Sequence, residues 1–104
     1  MNIVLICFAG MSTSMLVRKM QEAADNRGLS AKIWATGATT AIDDLEEEKV
    51  DCILIGPQAR YALDKMIPIA EEQDCPIDVI SSDLYGTFDG EKVLDMALDL
   101  IKSY

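Results

Sequence analysis

Asn2-Ile3-Val4-Leu5-Ile6-Cys7, running on into Phe8-Ala9-Gly10-Met11-Ser12-Thr13-Ser14, is the stretch whose reading decides the fold. Ile3 to Ile6 is short, uninterrupted and rich in β-branched residues, the pattern of a strand buried on both faces. Met15 to Ala24 then places Leu16, Val17, Met20, Ala23 and Ala24 at helical spacing, with charged residues on the other side. Between strand and helix lies a small, hydroxyl-rich loop that starts at a cysteine. Such a loop can turn several backbone N–H groups inward at a helix N-terminus, where unsatisfied donors and the macrodipole favour an anion. A thiol at a helix N-terminus is biased toward thiolate, the nucleophilic form. Cys7 is thus the candidate nucleophile, and Phe8, Ala9, Gly10, Met11, Ser12, Thr13 and Ser14 form the candidate phosphate cradle. Ser12 or Thr13 is the expected N-cap of the helix, and Gly28 its expected stop.

The same alternation continues along the chain. Ala31 to Ala35 reads as a second strand, with Ile33 and Ala35 on one face and Trp34 on the other; its weaker pattern predicts an edge position. A short helix is expected from about Thr40 to Glu48, with Asp43 and Asp44 at its positive end and Glu46-Glu47-Glu48 on a solvated face. Asp51-Cys52-Ile53-Leu54-Ile55-Gly56 is the second clear buried strand. Gly56-Pro57 ends it, and Pro57 suits the first position of a helix. Ala59, Ala62, Leu63, Met66, Ile69 and Ala70 carry a helical stripe in which Pro68 predicts a kink or two pieces. Ile77 to Ile80 is a fourth strand, Ser81 to Phe88 a loop with room for a helical turn. Asp89 caps a last helix whose core face is Val93, Leu94, Ala97, Leu98 and Ile101.

Four strands alternating with four helical segments predict an α/β fold: a small, doubly wound, four-stranded parallel sheet in the order 2-1-3-4, with helices on both faces. In that order strands 1 and 3 are neighbours whose following connections leave on opposite sides. Ligands bind at such a switch point, beyond the strand C-termini. Cys7 ends strand 1 and Gly56-Pro57-Gln58 ends strand 3, so topology and chemistry indicate one place.

Bulk properties narrow the function. The 104 residues read as one domain, 1–104, half of them hydrophobic. A net charge of −9 with no basic patch argues against nucleic acid as a partner. Apolar runs are strand-sized, so no membrane insertion is expected, and residues 1–17 lack the basic leader of a signal peptide. Three cysteines without a CxxC pair fit a reducing, cytoplasmic compartment. The absence of histidine excludes Ser-His and Cys-His catalytic pairs and disfavours a zinc site, and no cofactor is called for. Cys52, in a core strand, reads as packing. Blander readings stand beside the sharp ones: Cys7 as a small buried hydrophobe, Gly10 as a turn glycine, Gln58 as a first-turn polar residue, Tyr85 as loop packing.

Cys7-Phe8-Ala9-Gly10-Met11-Ser12-Thr13-Ser14-Met15-Leu16-Val17 resembles the phosphocysteine loop of the lactose/cellobiose family of enzyme IIB, the sugar-specific subunits of the bacterial phosphoenolpyruvate-dependent phosphotransferase system. The likeness is nearest to cellobiose/chitobiose-type members. It extends to Leu54-Ile55-Gly56-Pro57-Gln58, to Leu84-Tyr85-Gly86 and to Asp89-Gly90, in order and over the whole length. The resemblance implies that Cys7 accepts a phosphoryl group from a phosphohistidine of enzyme IIA. It implies transfer from Cys7 to a sugar, a β-linked disaccharide such as cellobiose, chitobiose or lactose, during translocation by the membrane subunit, enzyme IIC. It therefore implies a phosphotransferase of the cytoplasm, held at the membrane through enzyme IIC, with Gln58 and Tyr85 at the rim of the site and no metal. Two rivals differ in class. A low-molecular-weight phosphatase-like hydrolase would want an arginine six residues after the cysteine, to clamp the phosphate; Thr13 stands there. A flavodoxin-like binding module would want an aromatic beside the loop, for which Phe8 and Trp34 are the candidates.

Overall fold

The computed structural model describes residues 1–8 and 11–104, with backbone alone at Met11 and Ser12. Strand β1 (Asn2–Cys7) leads to helix α1 (Met11–Asn26), β2 (Lys32–Gly37), α2 (Ala41–Glu47) and β3 (Cys52–Ile55). A 3-10 helix (Pro57–Ala62) runs into α3 (Leu63–Gln73), followed by β4 (Ile77–Val79), α4 (Ser82–Gly86) and α5 (Gly90–Ser103). The sheet is parallel throughout and ordered β2-β1-β3-β4. This is the predicted doubly wound sheet, with β2 at one edge.

Strand geometry explains the two-faced core. Successive side chains point to opposite faces, so Ile3, Leu5, Cys52 and Leu54 meet α1 and α5 on one side. There they pack with Leu16, Met20, Ala23, Ala24, Val93, Leu94 and Ala97. Val4, Ile6, Ile53 and Ile55 meet α2, the 3-10 helix and α3 on the other, packing with Ala41, Leu45, Ala59, Ala62, Met66 and Ala70. As expected, Ile33 and Ala35 join the first cluster and Trp34 the second.

Chain punctuation is local and mostly as read. Gly28, at φ 70°, ends α1; the N–H of Leu29 reaches back to the carbonyl of Ala24 at 2.9 Å. Asp89 caps α5 by accepting from the N–H of Lys92 at 3.1 Å. Two expectations change. Helix α1 begins at Met11, so Ser12 and Thr13 lie inside it; neither is its N-cap, and Gly10, which precedes it, is outside the described residues. The stripe after Pro57 does form two pieces, a 3-10 helix and α3, but they meet at Leu63, the backbone kink is at Ala59 (φ −111°, ψ 16°) inside the 3-10 helix, and Pro68 sits within α3. Pro68 and the carbonyl-bearing Asp64 one turn back are both exposed, so water can serve the acceptor that proline leaves unused. The helical turn expected between Ser81 and Phe88 is present as α4, residues 82–86, capped by the Ser81 hydroxyl, which accepts from the N–H of Leu84 at 3.2 Å.

Candidate functional site

Cys7 is the last residue of β1, in register with Gly37 at the end of β2. After β1 the chain leaves for the α1/α5 face, and after β3 for the opposite one, so Cys7 lies at the switch point of the sheet. The residue is 6% exposed. Its Sγ donates to the carbonyl of Thr36 at 3.4 Å, and its own carbonyl accepts from the N–H of Ala38 at 2.9 Å. Thr36, 8% exposed, donates its hydroxyl to the Asp44 carboxylate and shares a 3.2 Å contact with the Thr40 hydroxyl. The β2–α2 corner is thereby pinned as an acceptor-lined wall beside the thiol. Sequence reading missed Thr36, Thr40 and Asp44 as site neighbours. Their spacing of four hinted that they could meet across the corner, but not what they would face.

Helix α1 starts four residues after Cys7. Its first-turn N–H groups have no partner four residues back within the helix, which is the ordinary condition of an anion seat. Thr13 is 1% exposed, and its hydroxyl lies 2.7 Å from the hydroxyl of Tyr85 on α4. Tyr85 is buried as well. Its ring edge is 3.4 Å from where a Cβ on Gly56 would stand, and Gln58 Oε1 is 3.9 Å from the same point. The structure therefore brings Thr13 and Tyr85 together and leaves Gln58 exposed beside Gly56. Ser14 is exposed; Ala9 and Gly10 of the expected cradle lie outside the described residues, as do the side chains of Met11 and Ser12.

Exposed apolar side chains follow the thiol in sequence. Phe8 is 68% exposed and meets Tyr61, 58% exposed, edge to face with centroids 6.2 Å apart. Met15, one turn into α1, is also exposed. No lysine or arginine occurs between Cys7 and Ser14; Arg18 and Lys19 follow at least a turn later. Among the described residues no group of three His, Cys, Asp or Glu is placed to hold a metal.

The other two thiols are electrostatically unsuited to nucleophilic work. Burial, with Cys75, Asp78 and Asp51 adding to it, pushes Cys52 up to about 12. Burial, then Asp51 and Asp74, pushes Cys75 up to about 11. Both remain protonated at neutral pH and pack in the two halves of the core.

Residues 2–96 match the family model for the PTS system, Lactose/Cellobiose specific IIB subunit. The chain belongs to that family. Among its relatives is the oligo-beta-mannoside-specific EIIB component of Bacillus subtilis, 40% identical over 96% of this chain and 95% of that one. The cellobiose-specific EIIB component of Lactococcus lactis is 41% identical over 95% and 94%. The solution structure of the cellobiose-specific IIB component from Borrelia burgdorferi superposes with a TM-score of 0.78 at 36% identity, covering 99% of this chain and 93% of that one. The lactose-specific IIB domain from Streptococcus pneumoniae shares the fold, with a TM-score of 0.83 at 18% identity and 96% coverage of both chains. This IIB chain is therefore a sugar-specific component of the phosphotransferase system, a phosphotransferase domain that works with other components of that system. No helix of its described residues is long and apolar enough to cross a membrane.

Proposed function

We propose that this IIB chain carries a phosphoryl group on Cys7, taken from a phosphohistidine of enzyme IIA and given to a sugar bound by enzyme IIC. The sulfur attacks phosphorus as the N–P bond breaks, and the thiol proton goes to the departing imidazole. In the second step a sugar hydroxyl oxygen attacks, the S–P bond breaks and an O–P bond forms. The hydroxyl proton returns to sulfur or to water, and Cys7 is regenerated. Phosphoryl transfer asks mainly for position and for donors aimed at the equatorial oxygens. The N–H groups opening α1 and the hydroxyls of Ser12, Thr13 and Ser14 would supply them, with Gln58 and Tyr85 bordering the seat. The observation that carries this reading is the thiol's position: Cys7 ends the inner strand β1 with its sulfur on the Thr36 carbonyl, four residues before α1 begins. Thr13 in place of a clamping arginine favours handing phosphate on over hydrolysing it. The names of the relatives, cellobiose-specific and oligo-beta-mannoside-specific, support a β-linked disaccharide as the acceptor.

The test uses phosphoenolpyruvate, the general phosphotransferase proteins and the cognate enzyme IIA. One phosphoryl group should appear on the wild-type chain and on Cys52→Ser and Cys75→Ser, and none on Cys7→Ser. Label persisting in Cys7→Ser would refute the assignment.

A further inference from the structure

The Cys7 sulfur meets a main-chain carbonyl, that of Thr36, at 3.4 Å. Thr36 is one residue from the end of β2, an edge strand with a ladder on one side only. Side chains hold the rest of the corner. The Thr36 hydroxyl donates to the carboxylate of Asp44, in the first turn of α2, and a charged acceptor makes such a bond strong. The Thr40 hydroxyl lies 3.2 Å from that of Thr36 and donates to the Gly37 carbonyl at 3.4 Å. Threonine is stiff at χ1, so fixing its hydroxyl fixes the main chain that carries it. The N–H of Ala38, donating to the Cys7 carbonyl at 2.9 Å, closes the circuit back to the thiol's own residue.

Resting on the proposed phosphocysteine function, we propose that Asp44 is a positioning residue: through Thr36 it holds the carbonyl that fixes the Cys7 sulfur for attack on phosphorus. The thiol's side-chain rotamer is then set before enzyme IIA arrives. A nucleophile already in place avoids the entropy of finding the reactive geometry. As the S–P bond forms, the proton leaves with the departing imidazole and the carbonyl loses its donor. The phosphocysteine gains nothing from the corner. The device therefore orients the accepting thiol without anchoring the group that must be handed on.

The experiment compares wild type with Asp44→Ala, Thr36→Val, Thr36→Ser and the Asp44→Ala/Thr36→Val double variant. Asp43→Ala is the control, since it removes the same charge from the same turn of α2 without touching Thr36. In the unphosphorylated chains, the Hα–Hβ couplings of Cys7 read its rotamer. They should be those of a single rotamer in wild type and Asp43→Ala, and averaged in Asp44→Ala and Thr36→Val. Single-turnover transfer from phosphorylated enzyme IIA is then followed at rising donor concentration. The limiting rate should fall about tenfold in Asp44→Ala and Thr36→Val, the scale of one hydrogen bond to a charged group, with the half-saturating concentration unchanged. Thr36→Ser restores the hydroxyl and should recover most of the loss, and the double variant should be no worse than either single one. Averaged couplings in wild type, a single rotamer retained in Asp44→Ala, equal losses in Asp43→Ala and Asp44→Ala, or losses that multiply in the double variant would overturn the proposal. If Thr36→Val does not fold, Asp44→Ala against Asp43→Ala decides, both at exposed positions of α2. A wild-type chain that gains no phosphoryl group on Cys7 would refute the underlying function, while the couplings still decide whether Asp44 holds the sulfur.

Discussion

At the scale of single residues, the three thiols divide by environment. Cys52 and Cys75 are raised to about 12 and about 11, chiefly by burial, whereas in the unfolded chain both ionise near the ordinary thiol value of about 8.5. A group whose folded pKa is raised lends stability below its unfolded pKa and loses it as pH climbs toward the folded one. Urea unfolding should therefore give a stability that falls from about pH 9 toward pH 11 as the unfolded chain sheds these protons. In Cys52→Ala/Cys75→Ala that fall should be shallower, although its stability at pH 7 is lower. An identical slope in both would show that the two thiols ionise alike folded and unfolded. Cys7 differs from them by position: it ends its strand at the switch point, with the Thr36 carbonyl on its sulfur.

At the scale of elements, helix contacts hang on residues whose role no local pattern reveals. A Cβ at Gly90 would come within 2.5 Å of the Lys19 carbonyl carbon, so the start of α5 lies directly on the backbone of α1. Backbone cannot step aside as a side chain can, and Gly90→Ala must push the two helices apart. A loss of about 2 kcal/mol, or about 10 °C in Tm, is expected by calorimetry. Gln73, at the end of α3, acts as a bracket for another junction. Its amide donates to the carbonyls of Leu45 at 2.7 Å and Glu48 at 3.0 Å, and its oxygen accepts from the N–H of Val50 at 3.3 Å. Gln73→Ala should cost about 1–2 kcal/mol, tempered by water reaching a half-buried site, with faster hydrogen exchange at Val50. Gln21 does the same on the other face, donating to the Ala31 carbonyl at 2.9 Å and accepting from the N–H of Ile33 at 3.2 Å.

Across the whole molecule, the proposed chemistry sits at one end of the sheet and the core lies beneath it. A phosphoryl group on Cys7 adds up to about two negative charges near the N-terminus of α1. Amide shifts between free and phosphorylated chains should therefore concentrate in residues 7–16, with smaller changes near Gln58 and Tyr85. The corner from Thr36 to Asp44 should respond too, because phosphorylation removes the proton that Cys7 gives the Thr36 carbonyl. Helix α5 beyond Glu91 packs Val93, Leu94 and Ala97 into the core and should scarcely move. Shifts spread along α5 would point to a global switch in place of a rigid carrier.

The order of strands and helices, the parallel sheet with β2 at its edge, the stop at Gly28 and the cap at Asp89 were all determined by sequence alone. Each rests on apolar periodicity or on a side chain meeting backbone a few residues away, so near neighbours hold the whole signal. Cys7 and the loop after it were conspicuous for the same reason: strand end, thiol and small residues are contiguous. Tertiary structure decided the rest. Thr13, which a local reading makes a helix cap, is buried under the hydroxyl of Tyr85, 72 residues on. Thr36 reaches the thiol through its main-chain carbonyl, which residue identity does not encode. The stripe after Pro57 is kinked at Ala59, inside the 3-10 helix that precedes α3, while Pro68 stays on an exposed helical face that tolerates a missing N–H. Such choices depend on which surfaces the folded sheet brings within a few ångströms, and spacing along a chain carries no measure of that.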